Sequence, residues 1–154
     1  MTSNVENKGV SKPALWAGRT VSGLTAAFML LDSALHLTKP APVIQAFNQL
    51  GFPISLSLAL GAIELLSVLI YLYPRTSILG AILLTAYLGG AVSIQMRVGN
   101  PLFAQTLFPV YVGILVWGGL YLREPRLRKL IPLAQTSAEE EPDSAYTHQL
   151  SVVR

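Results

Sequence analysis

The sequence predicts an all-α fold: a transmembrane bundle of four helices with both termini in the cytoplasm. Three observations lead there. Of 154 residues, 52% are hydrophobic and only 12% charged, with mean hydropathy +0.51, about half the charge fraction of an ordinary soluble domain. The apolar residues gather in four long blocks rather than in short amphipathic stripes. The Lys and Arg residues are unevenly distributed between the ends of those blocks.

The blocks run from about Trp16 to Leu37, Ile54 to Tyr73, Ser77 to Met96 and Ala104 to Leu122. Each is near the ~20 residues that cross ~30 Å of hydrocarbon at 1.5 Å per residue. Lys39-Pro40-Ala41-Pro42 stops the first, and Gly51-Phe52-Pro53 opens the second. Pro74-Arg75-Thr76 closes it in a tight turn, where Thr76 or Ser77 is placed to cap the third helix. Gly99-Asn100-Pro101 breaks before the fourth, and Pro109 kinks that helix or marks its first turn. The first block lacks a small-residue cleavage site and carries Asp32 and His36, so it reads as a span and not as a signal peptide. Residues 1–12 and 133–154 are polar and without helical period, and read as disordered flanks of a membrane domain over 13–132. The basic stretch REPRLRKLIP, 123–132, is expected to lie along the lipid surface.

With four spans, both termini and the 74–77 turn share one side. That side holds Lys8, Lys12, Arg19, Arg75, Arg123, Arg126, Arg128, Lys129 and Arg154, nine of the eleven basic residues. The positive-inside rule places it in the cytoplasm and puts the 38–53 and 97–103 loops outside.

Polar residues inside the spans carry the functional question. Ser22, Thr25, Met29, Asp32 and His36 recur at spacings of three and four, and Ser57, Gly61 and Glu64 do likewise on the second span. Both faces are expected to turn inward, because an acid near the centre of a membrane helix costs ~2.5–3.5 kcal/mol on insertion scales. Such a group must be protonated, paired or wetted. Arg97 is the expected partner of Asp32, reaching down from the outer end of span three. The polar-pocket candidates are therefore Asp32, His36, Glu64, Tyr87, Gln95 and Arg97. The plain alternative is that these groups only glue helices together, at ~0.6 kcal/mol per hydrogen bond. Gly61, Gly80, Gly89, Gly90, Gly118 and Gly119 read as close helix contacts. Most of Trp16, Trp117, Tyr71, Tyr73, Tyr111 and Tyr121 fall near span ends, where amphipathic rings settle.

The absence of cysteine excludes disulfides, iron–sulfur clusters and thiolate metal sites. The only histidine besides His36 is His148 in the tail, so no bis-histidine haem is expected. A metal held by one His with Asp32 and Glu64 is a poor set, and no metal is expected. No phosphate-binding, dinucleotide or nucleophile-elbow motif is present, no catalytic residue is assigned, and nothing points to nucleic acid.

The order of motifs resembles the DoxX-like family of small bacterial membrane proteins. GRTVSGL (18–24) leads into LLDSALHL, and LGFP (50–53) precedes LGAIELL (60–66). The most specific block lies within LYPRTSILGAILLTAYLGGAVSIQMRVGNPLF (72–103), followed by LFPVYVGILVWGGLYLR (107–123) and LRKLIP (127–132). The resemblance implies a four-helix membrane protein. The family's name derives from likeness to the small membrane subunit of a thiosulfate:quinone oxidoreductase, which implies a quinone-linked redox setting with quinone as the candidate cofactor. Many members carry His where this chain has Gln95, and often where it has Gln105; Gln keeps hydrogen bonding but cannot titrate. Three functions stand open on these grounds. One is a small accessory subunit of a membrane redox system, the second a proton or small-solute transporter, and the third a structural or assembly partner of other membrane proteins or of further copies of itself.

Overall fold

Residues 11–130 are described by a computed structural model, and every regular element among them is helical. The chain runs α1 (Lys12–Thr38), α2 (Ala41–Gln49), α3 (Leu56–Leu72), α4 (Ser77–Arg97), a π-helical turn (Leu102–Thr106), α5 (Phe108–Arg123) and α6 (Pro125–Leu130). Helix α1 packs against α3 and α5, and α4 closes the ring against the same two. Successive long helices are antiparallel, as the short 73–76 link and the folded 39–55 and 98–107 links require. The all-α bundle is thus realised. Of the stretches expected to be disordered, 1–10 and 133–154 lie outside the described residues, and Lys12, expected with the first, opens α1.

Local chemistry sets the ends. Lys39 takes a left-handed conformation, φ 52°, and its N–H returns to Leu35 O at 2.9 Å, closing α1 before Pro40. Gly51 and Gly99 have φ of 67° and 72°, which only glycine adopts without strain, and both mark tight turns at the same end of the bundle. Thr76 does not cap α4. Its hydroxyl donates backward to Ile70 O at 2.8 Å and ties the turn to α3.

Several boundaries differ from the sequence reading. Helix α1 begins four residues earlier, at Lys12, with a proline in its first turn where a missing N–H costs nothing. The loop between the first two spans contains α2, and its Phe47 is buried. Helix α3 has 17 residues, about 25 Å at 1.5 Å per residue, shorter than α1 and α4. Three segments are long and apolar enough to cross a membrane: Lys12–Thr38, Ser77–Arg97 and Leu102–Arg123. The last is broken near Leu107, where the π-helical turn meets α5 and Pro109 sits in the new first turn.

Three glycines let backbones meet. A methyl on Gly61 would lie 2.8 Å from His36 Cβ, one on Gly119 would lie 2.6 Å from Ser22 Oγ, and one on Gly80 would collide with the Tyr71 backbone. Gly89, Gly90 and Gly118 meet nothing within 4 Å, so the expectation of helix contacts fails at these three. Near the 73–76 turn the bundle is solid: Val68, Tyr71, Ala81, Leu84, Val116 and Leu120 are all buried, and Leu127 of α6 seals them from below. Tyr71 is not an interfacial ring. Its hydroxyl donates within reach of both Ser22 Oγ, 2.9 Å, and Val116 O, 3.0 Å, which stitches α3 to α1 and α5.

Candidate functional site

The opposite half of the bundle is hollow. A cavity of about 510 Å³ lies between α1, α3, α4 and α5, bordered by Phe47 of α2 and by Leu50 and Phe52 of the segment after it. Its walls are largely apolar, with rings from Phe28, Phe47, Phe52 and Phe108. Phe28 and Phe108 meet edge to face at 5.8 Å, joining α1 to α5, and Phe47 meets the His36 ring in the same manner at 5.8 Å. Into this space converge Asp32, His36, Glu64, Tyr87 and Gln95.

Helical spacing explains the convergence. Asp32 and His36 are four apart on the face of α1 that also buries Ser22, Thr25 and Met29. Glu64 follows Ser57 and Gly61 on the buried face of α3. The close approach at Gly61 brings α3 against His36, and Ser57 Oγ donates to His36 O at 2.6 Å, fixing the two helices in register. Glu64 and Tyr87 are both mid-helix, so their side chains meet at one level, with Tyr87 Oη donating to Glu64 Oε2 at 3.1 Å.

The result is a compact polar cluster. His36 Nδ1 lies 3.6 Å from Asp32 Oδ2 and 3.7 Å from Glu64 Oε2, and 3.0 Å from the Asp32 carbonyl oxygen of its own helix. Glu64 is fully buried, Asp32 half-exposed. Glu64 Oε1 has no hydrogen-bond partner among the described residues. No Lys or Arg among the described residues pairs with either acid.

Arg97 is therefore not the partner of Asp32. It does not line the cavity. Its guanidinium donates to Leu50 O at 2.5 Å and lies 5.3 Å over the Phe52 ring. The pull of the loop carbonyl and the aromatic face wins because both sit at its own level, at the end of α4, whereas Asp32 is deeper. Arg97 thus pins the segment that carries the cavity's Phe52 wall. Gln95 accepts from Asn100 Nδ2 and is tied to the 98–107 link, whose Thr106 donates to Asn100 O at 3.1 Å.

The aromatic wall is what sequence reasoning missed. Phe47 could have been found: Pro42 in a first turn, followed by Val43, Ile44 and Phe47 among Gln and Asn, is a short amphipathic helix. Phe28 and Phe108 carry no such signal, because apolar residues on membrane helices look alike whether they face lipid or a cavity.

Chemically, this arrangement offers a greasy chamber for a hydrophobic molecule and, at one end, a set of groups that accept, donate and exchange protons. A model of the DoxX-like family matches residues 20–119, which takes in all four long helices in whole or in large part. No curated protein and no solved structure matches the chain.

Proposed function

This chain belongs to the DoxX-like family, and from that premise we propose that it binds a quinone-class lipid as a small accessory subunit of a redox system in a bacterial inner membrane. One observation carries the reading: an apolar, ring-lined chamber of about 510 Å³ ends in the Asp32–His36–Glu64–Tyr87 cluster. A quinone head group combines an apolar ring with oxygens that need a donor, and its reduction needs protons delivered where water is scarce. The four phenylalanines suit the ring. The cluster supplies donors and exchangeable protons.

The same proposal has four crossings and both termini in the cytoplasm. The basic residues at the 73–76 turn and along α5–α6 support that orientation, and the packing of α3 between α1 and α4 supports its counting as a crossing. The transporter reading is disfavoured by the filled half of the bundle, where Tyr71, Leu84 and Leu120 are buried and the hydroxyls of Ser22 and Ser67 are taken up in hydrogen bonds.

The test is titration of a short-chain quinone into the full-length protein in nanodiscs, followed by quenching of intrinsic fluorescence. Saturable binding is expected in the wild type, weakened at least tenfold by Glu64→Gln and by Phe47→Ala. No saturable binding, or binding unchanged in both variants, overturns the proposal. The chain lacks cysteine, so topology is readable by single-cysteine labelling: Asn48→Cys should react with an impermeant reagent in intact cells, and Arg126→Cys only after lysis.

A further inference from the structure

We infer that Asp32, His36 and Glu64 form a binding site for one divalent transition-metal ion of the zinc class, set at the polar end of the cavity with one coordination position open to it. The inference stands apart from the quinone reading, since it rests on the spacing and charge of the cluster and needs nothing in the chamber.

Geometry comes first. One ligand atom from each of the three residues lies within 4.8 Å of the other two. The imidazole-to-carboxylate separations are 3.6 and 3.7 Å. Metal–ligand bonds of 2.0–2.2 Å in a tetrahedron put neighbouring ligand atoms about 3.4 Å apart, so the two imidazole contacts are close to the required spacing and the two carboxylates, within 4.8 Å of each other, close on the ion by side-chain rotation. The scaffold is already rigid: Asp32 and His36 share one helix turn, and Ser57 and the Gly61 contact hold Glu64's helix against it. Tyr87 donates to Glu64 Oε2 from outside the trio, the position from which a neighbouring hydrogen bond orients a ligating carboxylate. The imidazole gives up its contact with the Asp32 carbonyl when Nδ1 takes the ion.

Charge is the second and independent observation. Glu64 is fully buried, and its Oε1 finds no partner among the described residues. Buried acids without a compensating cation are costly, and no Lys or Arg among the described residues supplies one. Two carboxylates outnumber the one imidazole, so even a cationic ring would leave the trio at a net charge of −1. A divalent ion with a neutral imidazole makes it zero, and a Glu64 carboxylate that turns both oxygens to the ion gives Oε1 its missing partner while Oε2 keeps the Tyr87 hydroxyl.

The donor set selects the ion. One imidazole nitrogen with two carboxylate oxygens, a poor set on residue types alone, becomes one that zinc and its neighbours take once the three side chains converge within 4.8 Å. It offers no thiolate for copper(I), and too few oxygens for calcium or magnesium. Three protein ligands beside a chamber leave the fourth position for water or for a ligand oxygen.

The test uses the untagged full-length chain in nanodiscs, stripped with chelator, loaded with Zn²⁺ and desalted. Elemental analysis should find one zinc per chain. Co²⁺ loaded in its place should give visible d–d absorption. Asp32→Asn, His36→Gln and Glu64→Gln should each weaken zinc binding at least tenfold, while His148→Gln should leave it unchanged. Helicity and monodispersity of the variants show that they fold. Should Glu64→Gln fail to fold, the half-exposed Asp32 carries the test. Absence of stoichiometric zinc in the wild type, equal retention in Asp32→Asn, or loss in His148→Gln overturns the inference. Zinc retained with no quinone bound overturns the proposed function alone.

Discussion

Around Tyr71 the bundle is filled: Val68, Ala81, Leu84, Val116 and Leu120 leave no space, and one hydroxyl bridges three helices. Around Glu64, only two turns of α3 away, the same four helices stand around a chamber of about 510 Å³. The first half is aliphatic around one tyrosine, and the second mixes phenylalanines with ionisable groups. What also differs is how the helices are held apart. Near the turn, Gly80 and Gly119 bring backbones into contact. At the far end, α2 sets Phe47 against His36, and the start of α5 sets Phe108 against Phe28. One half stabilises the bundle, and the other has its polar groups gathered where packing is loose. Stability and binding should therefore respond to substitution in opposite places.

The largest expected effect is at Gly80. Gly80→Leu drives a side chain into the Tyr71 backbone and should destabilise the fold by about 3 kcal/mol or more, since overpacking against rigid backbone cannot relax. Thermal unfolding in detergent, or failure to recover monodisperse protein, reads this directly. A near-neutral result would mean that the turn half is not the rigid half. Next is Tyr71→Phe, which removes the hydroxyl shared by Ser22 and Val116 and should cost about 1–2 kcal/mol with quinone and zinc binding unchanged. A smaller loss is expected for Arg97→Gln. It frees the Phe52 segment, so it should lower melting temperature slightly and weaken quinone binding severalfold, while hydrogen exchange rises over 50–53. Smallest of all is Gly90→Ala on the cavity wall, where an added methyl meets nothing within 4 Å. It should be neutral or stabilising by up to about 1 kcal/mol through helix propensity alone. Strong destabilisation there would show that the chamber wall is packed after all.

The comparison also shows why some readings came straight from the residues. The period of three and four that joins Asp32 to Met29 and Thr25 defines one buried face, and no tertiary knowledge is needed to draw it. Glu64 in mid-span reads the same way. Arg97 and Tyr71 did not, because a long side chain or a ring near a span end has several partners within reach. The choice between Asp32 and the Leu50 carbonyl depends on where the loop lies. For Tyr71, the choice between lipid interface and core depends on which way α3 is rotated.

The chain by itself determined the membrane setting, the helical class, the approximate ends of the long helices and the identity of the buried acids. Those follow from hydropathy, proline and glycine placement, and the cost of putting charge in hydrocarbon, all of which act locally. Only the tertiary structure decided that Asp32, His36 and Glu64 share one site, that α2 and four phenylalanines enclose it, and that Arg97 serves the wall instead of the acid. Distances between helices depend on which small residues actually face a neighbour. Gly61 does and Gly89 does not, and nothing in their surroundings along the chain tells them apart.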